Sequence, residues 1–116
     1  MKMDIGILGM GYVGLPLAIA MAEKYKVIGF DVDKNRILSL KMGIDKKKDV
    51  TSKQIKKTDL TYSNKPESLK NCNIYIVTVP TPIKNNKLPD FTFLKNASKI
   101  ISKYLKIGDI VIYEST

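Results

Sequence analysis

The reading begins at Ile5-Gly6-Ile7-Leu8-Gly9-Met10-Gly11-Tyr12-Val13-Gly14-Leu15-Pro16. Met3 to Leu8 is a short apolar run suited to a buried strand. Three glycines follow at the spacing G-x-G-x-x-G, and Tyr12 to Tyr25 then reads as a helix with Val13, Leu17, Ala20, Met21 and Lys24 along one face. Pro16 is tolerable there because the first helical turn has no intrahelical partner for its N–H groups. Each glycine has a task. Gly9 permits the tight turn out of the strand, Gly11 lets a ligand approach the backbone where a Cβ would stand, and Gly14 lets the helix lie close to the strand. The amides of Tyr12 and Val13 fall at the helix start, where the peptide dipole favours an anion such as a pyrophosphate.

The next segment strengthens a dinucleotide reading. Lys26 to Phe30 is a second apolar strand, and Asp31 ends it at the expected distance from the glycines. A carboxylate there can accept both hydrogen bonds of an adenosine ribose diol. It would repel a 2′-phosphate, which favours NAD over NADP. Asp33 is the better candidate to cap the following helix, which runs to about Met42 and ends at Gly43. Arg36, one turn into that helix, is placed to cover the adenine ribose. The plainer alternatives are a turn residue for Asp31 and a solvated helix charge for Arg36.

Strand and helix patterns continue to alternate. Residues 44 to 60 are polar, with Thr51 a possible cap for a short helix through Lys57. Leu60 to Ser63 reads as an edge strand, Pro66 to Lys70 as a helical turn or two, and β-branched Ile74 to Val79 as a central strand. A helix is expected from Phe91 to Leu105, with Leu94, Ala97, Ile100, Ile101, Tyr104 and Leu105 at helical spacing. Ile110 to Tyr113 is the last strand. Such alternation predicts an α/β fold: a Rossmann-type, doubly wound parallel sheet in three α/β/α layers, with strand order 3-2-1-4-5.

In that topology Val79-Pro80-Thr81-Pro82 and Glu114-Ser115-Thr116 end strands on the same edge as Gly9 and Asp31, the carboxyl edge where such sheets bind ligands. The prolines stop the strand, and the threonines offer hydroxyls to cofactor, substrate or water. Read separately, either cluster is equally consistent with ordinary loop punctuation. Cys72 precedes its strand and falls on the opposite edge, with nothing beside it in sequence to depress a thiol pKa.

Composition sets the outer bounds. At 116 residues, 44% hydrophobic and 27% charged, the chain is a single soluble-type domain rather than a disordered one. One cysteine and no histidine exclude a disulfide framework, a histidine-based catalytic base and a Cys/His metal centre, so no metal is expected. The net charge of +9 invites a nucleic-acid reading. Yet seven lysines and two aspartates between Lys41 and Lys57 supply much of it, and Arg36 is the only arginine. Groove and phosphate readers usually need arginine forks, so neither nucleic acid nor membrane is expected as a partner. The uncharged run Ile5 to Ala22 imitates a secretory signal, but Asp4 stands in its head and four glycines and Pro16 interrupt it. A cytoplasmic location follows as the expectation.

Gly9-Met10-Gly11-Tyr12-Val13-Gly14-Leu15-Pro16, Phe30-Asp31-Val32-Asp33, Arg36-Ile37, Val79-Pro80-Thr81-Pro82 and Glu114-Ser115-Thr116 together resemble the successive motifs of the UDP-glucose/GDP-mannose dehydrogenase family, amino-terminal part. The wording of the later motifs is most similar to the bacterial branch that oxidises UDP-N-acetylhexosamines for capsule and surface polysaccharides. The resemblance implies oxidation of a sugar C6 alcohol to a carboxylate with two NAD reduced. It also implies cofactor roles for Gly9, Gly11, Tyr12, Val13, Gly14, Asp31, Arg36, Pro80, Thr81 and Thr116, with Thr116 also positioning water for hydrolysis. Family members run about three times as long. The resemblance therefore implies that residues 1–116 are a fragment, without the central and nucleotide-sugar-binding domains that carry the catalytic cysteine, the UDP-sugar contacts and the dimer interface of a homodimeric whole. Such a fragment is expected to be inactive alone. Other readings are a 6-phosphogluconate- or hydroxyacid-type NAD dehydrogenase, a non-catalytic nucleotide sensor, and a nucleic-acid binder using the lysine stretch.

Overall fold

A computed structural model of the chain describes residues 2–46, 50–56 and 59–114. Strand β1 is Asp4–Leu8, helix α1 Gly14–Met21, β2 Lys26–Phe30, α2 Lys34–Lys41, α3 Ser52–Ile55 and β3 Leu60–Ser63. A 3₁₀ turn at Pro66–Leu69 leads to β4 at Ile74–Val77, then α4 at Thr92–Ser102 and β5 at Ile110–Tyr113. The five strands form one sheet in the order β3-β2-β1-β4-β5, every neighbouring pair parallel. This is the expected doubly wound order.

Alternation along the strands builds a core on each face. Ile5 and Ile7 of β1 and Ile74 and Ile76 of β4 pack with Leu15, Ala18 and Ile19 of α1, Ile37 and Leu40 of α2, and Ile55 of α3. The intervening residues Leu8, Phe30, Tyr75 and Val77 point the other way, against Leu69 and α4 residues Ala97 and Ile101. Helices thus cover both faces, giving three layers. β1, with Ile5 and Ile7 fully buried, is the spine. Each such side chain contributes about 1.5–3 kcal/mol of burial free energy.

Local signals explain the boundaries. Asp33 Oδ1 accepts from the amides of Asn35 and Arg36 at 3.0 and 3.1 Å and starts α2, while Gly43, at φ +80°, follows its end. Thr51 and Gln54 form a reciprocal capping box on α3. Pro66 occupies the first position of its 3₁₀ turn.

Several expectations need correction. α1 is eight residues rather than fourteen, and its buried residues are Gly14, Leu15, Ala18 and Ile19. Val13, Ala20 and Lys24 are exposed. Nearly every residue from Val13 to Ala22 is apolar, so periodicity cannot single out a face, and packing on Ile5 and Ile7 makes the choice. β4 stops at Val77, because Thr78 and Val79 already belong to the loop leaving the sheet, and α4 stops at Ser102, leaving Leu105 half exposed. α3 ends at Ile55, and Lys57 lies outside the described residues.

Candidate cofactor-binding site

The carboxyl ends of β1, β2, β4 and β5 open into one cleft of about 580 Å³, within the range of small-molecule and cofactor sites. Gly9, Gly11, Tyr12 and Val13 line it from the loop after β1, and Asp31 and Asp33 from the end of β2. Pro80 and Thr81 border it beyond β4, and Glu114 beyond β5. Of the groups expected on one rim, Gly9, Asp31 and Thr81 line this same cleft. Thr116 and Ser115 lie outside the described residues.

The glycine loop is built by contacts that leave no room for side chains. Gly9 has φ +105°, and its amide donates to Phe30 O at 2.8 Å. A Cβ there would stand 3.0 Å from the Thr78 carbonyl group and the Val79 amide nitrogen. A Cβ on Gly14 would collide with the Gly9 carbonyl oxygen. Gly14 is buried and does not line the cleft; its part is to let α1 start against the strand. Val13 caps α1 without any side-chain hydrogen bond, and the amides of Gly11, Tyr12 and Val13 have no acceptor among the described residues. Those N–H groups, at the positive end of α1, suit a diphosphate.

Asp31 is held rigidly. Its Oδ2 accepts from the Met10 amide at 2.8 Å and its Oδ1 from the Asp33 amide at 2.9 Å. Each carboxylate oxygen keeps a second lone-pair direction, enough for the two hydroxyls of a ribose. Among the described residues, no lysine or arginine lines the cleft, so nothing there would neutralise a 2′-phosphate. The residues therefore fit NAD.

Arg36 differs from both expectations. It is not among the residues lining the cleft, and it is not solvated. Its Nε donates to Met10 O at 2.8 Å, and its Nη1 meets Asp45 Oδ1 at 2.7 Å in an ion pair with side chains 10% and 0% exposed. Two further contributions escape sequence reading. Thr78 lies within 2.8 Å of the Gly9 carbonyl through its hydroxyl, and Phe93, Asn96 and Ile100 of α4 form one wall. The helical spacing of 93, 96 and 100 was the available signal for that wall. Cys72, 2% exposed, sits at the opposite end of the sheet, and burial pushes its thiol up to about 11. It is not a nucleophile for this cleft.

Residues 3–116 match the family model described as the UDP-glucose/GDP-mannose dehydrogenase family, NAD binding domain. The chain belongs to that family. As its NAD binding domain, the chain takes NAD as cofactor. It is 47% identical over 115 residues to the UDP-N-acetyl-D-glucosamine 6-dehydrogenase of Pseudomonas aeruginosa, covering 98% of this chain and 27% of that enzyme. It is 41% identical to Protein CapL of Staphylococcus aureus, covering 100% of this chain and 27% of the relative. Among solved structures, the UDP-D-ManNAc dehydrogenase of Pyrococcus horikoshii superposes with a TM-score of 0.90 at 31% identity, over 98% of this chain and 28% of that one. The NAD binding domain therefore spans a little over a quarter of the relatives it matches.

Proposed function

We propose that this chain is the cofactor-binding part of a longer nucleotide-sugar 6-dehydrogenase that converts the C6 alcohol of a UDP-N-acetylhexosamine to a carboxylate for surface polysaccharide synthesis. The observation that carries the proposal is the convergence of the glycine loop, Asp31, Thr81 and Glu114 on one cleft, in a chain 47% identical to an enzyme of that name. NAD would supply the hydride acceptor, two NAD molecules being reduced for each sugar taken from alcohol to carboxylate.

The residues of this chain divide the work by position. Asp31, at the end of β2, would hold the ribose diol of the adenosine half. The amides of Gly11 to Val13, at the start of α1, would hold the diphosphate. The Pro80-Thr81-Pro82 loop and the α4 wall would hold the reacting half, with Phe93 and Ile100 there to exclude water. The water-holding role that the family resemblance implies for Thr116, a residue outside the described ones, belongs to this proposal. Catalytic cysteine, sugar contacts and homodimer interface belong to the rest of the enzyme. No described helix is long and apolar enough to cross a membrane.

The test is to express the open reading frame that carries this chain and follow NADH with UDP-N-acetylglucosamine, UDP-N-acetylmannosamine and UDP-glucose. Two NADH per N-acetylhexosamine are expected, with none from residues 1–116 alone. Activity confined to a hydroxyacid or phosphogluconate would overturn the assignment.

A further inference from the structure

We propose that Asp45 is a positioning residue for the cofactor loop, acting through Arg36 on the peptide groups of Met10. Met10 is the variable residue between the first two glycines, and both of its backbone polar groups are held by side chains. Its amide donates to Asp31 Oδ2 at 2.8 Å, and its carbonyl accepts from Arg36 Nε at 2.8 Å. Arg36 reaches that carbonyl because its other arm is taken by Asp45 at 2.7 Å, and Asp45 in turn accepts from the Val50 amide at 3.1 Å through Oδ2. The series Val50–Asp45–Arg36–Met10–Asp31 thus ties the polar segment after α2 to the ribose-binding carboxylate.

Burial makes the tie stiff. The Asp45 side chain is wholly covered, and Arg36 nearly so. A buried guanidinium needs its counter-charge, so Arg36, paired with Asp45, has little freedom to leave Met10. The Met10 side chain is itself fully buried, with its sulfur against Gly29: a Cβ on Gly29 would lie 2.7 Å from it. The loop residue is therefore fixed at backbone and side chain alike, and the neighbouring amides of Gly11 to Val13 inherit that position. Preorganisation of this kind lowers the ordering cost of binding.

This inference rests on the cofactor role of the loop, and the test has one arm that needs no cofactor. In the full chain, Asp45→Asn is expected to speed hydrogen exchange at the Gly9 and Met10 amides about tenfold in the NAD-free protein and to weaken NAD binding by about tenfold in titration calorimetry, the scale of one charge-assisted hydrogen bond. Arg36→Gln/Asp45→Asn removes both charges together, avoiding an unpaired buried ion, and should show the same faster exchange. Ile55→Ala, a cavity in α3 beneath the same segment, should leave loop exchange and NAD affinity as in wild type despite a lower melting temperature. Wild-type exchange at Gly9 and Met10 in the double variant would overturn the proposal, as would equal loosening by Ile55→Ala. Wild-type protein that binds no NAD would overturn the cofactor reading as well.

Discussion

Thr78 and Gly9 are joined just beyond the ends of adjacent strands β4 and β1: the Thr78 hydroxyl donates to the Gly9 carbonyl at 2.8 Å, with Leu8 O 3.1 Å away. The contact sits at the point where β1 gives way to the glycine loop and is buried beneath α1. Leu8 O already receives the Thr78 amide at 2.8 Å, so the hydroxyl matters most to Gly9. Thr78→Val keeps the shape and leaves a buried carbonyl unsatisfied. Its cost should be about 1–3 kcal/mol in urea denaturation, with Thr78→Ser close to wild type. Equal stability of Thr78→Val and wild type would remove the hydroxyl from the loop's support.

Gly14 tests the same junction sterically. A methyl group there would overlap the Gly9 carbonyl oxygen and stand 2.5 Å from Thr78 Oγ1. Both neighbours are locked by hydrogen bonds, so α1 itself must move away from the sheet. Gly14→Ala should lose about 1–3 kcal/mol of stability and bind NAD at least tenfold more weakly, because the amides at the helix start shift with it. Wild-type NAD affinity in that variant would show that helix approach is not needed for binding.

Much of this was legible before any coordinates, for identifiable reasons. Asp33, Gly43 and Thr51 act through local backbone hydrogen bonds or conformation, so their effect is written within a few residues. The strands around Ile5, Val27 and Ile76 carry runs that only a sheet covered on both faces would bury. What was not legible is long-range pairing. Asp45 lies among lysines in a segment that reads as polar surface, and only tertiary packing brings it to Arg36. Thr78 looks like the tail of a β-branched strand until the loop over Gly9 is placed. The buried face of α1 is not written in its sequence, because its apolar residues run all round the helix and period alone carries no direction.

Asp31 is the most direct test of cofactor choice. Its carboxylate is fixed by the Met10 and Asp33 amides at 2.8 and 2.9 Å, leaving it rigid toward a ribose diol. Asp31→Ala in the intact enzyme should weaken NAD binding by about 1–3 kcal/mol, the range for losing charge-assisted hydrogen bonds. NADP should lose far less, since the repulsion of its 2′-phosphate disappears with the carboxylate. Fluorescence titration with both cofactors separates these effects, and unchanged NAD affinity would take Asp31 out of the ribose role.

Three buried protonated groups, Cys72, Tyr75 and Tyr62, predict a pH response unrelated to the cofactor. Burial pushes the Cys72 thiol from 9.0 up to about 11 and the Tyr75 phenol from 10.0 to about 12, and it moves Tyr62 upward too. All three groups are neutral when protonated, and folding holds their protons more tightly than the unfolded chain does. Their contribution to stability is therefore complete below pH 9. It declines as pH rises past 9, where the unfolded chain begins to release protons, and is gone once the folded pKa values are passed. Urea midpoints should be level from neutral pH to 9 and fall above it. Cys72→Ala should start lower, through lost packing, and fall less steeply between pH 9 and 11. A wild-type midpoint that holds or rises over that interval would contradict the burial of these groups, and rapid thiol labelling of the folded protein at pH 8 would contradict it for Cys72 alone.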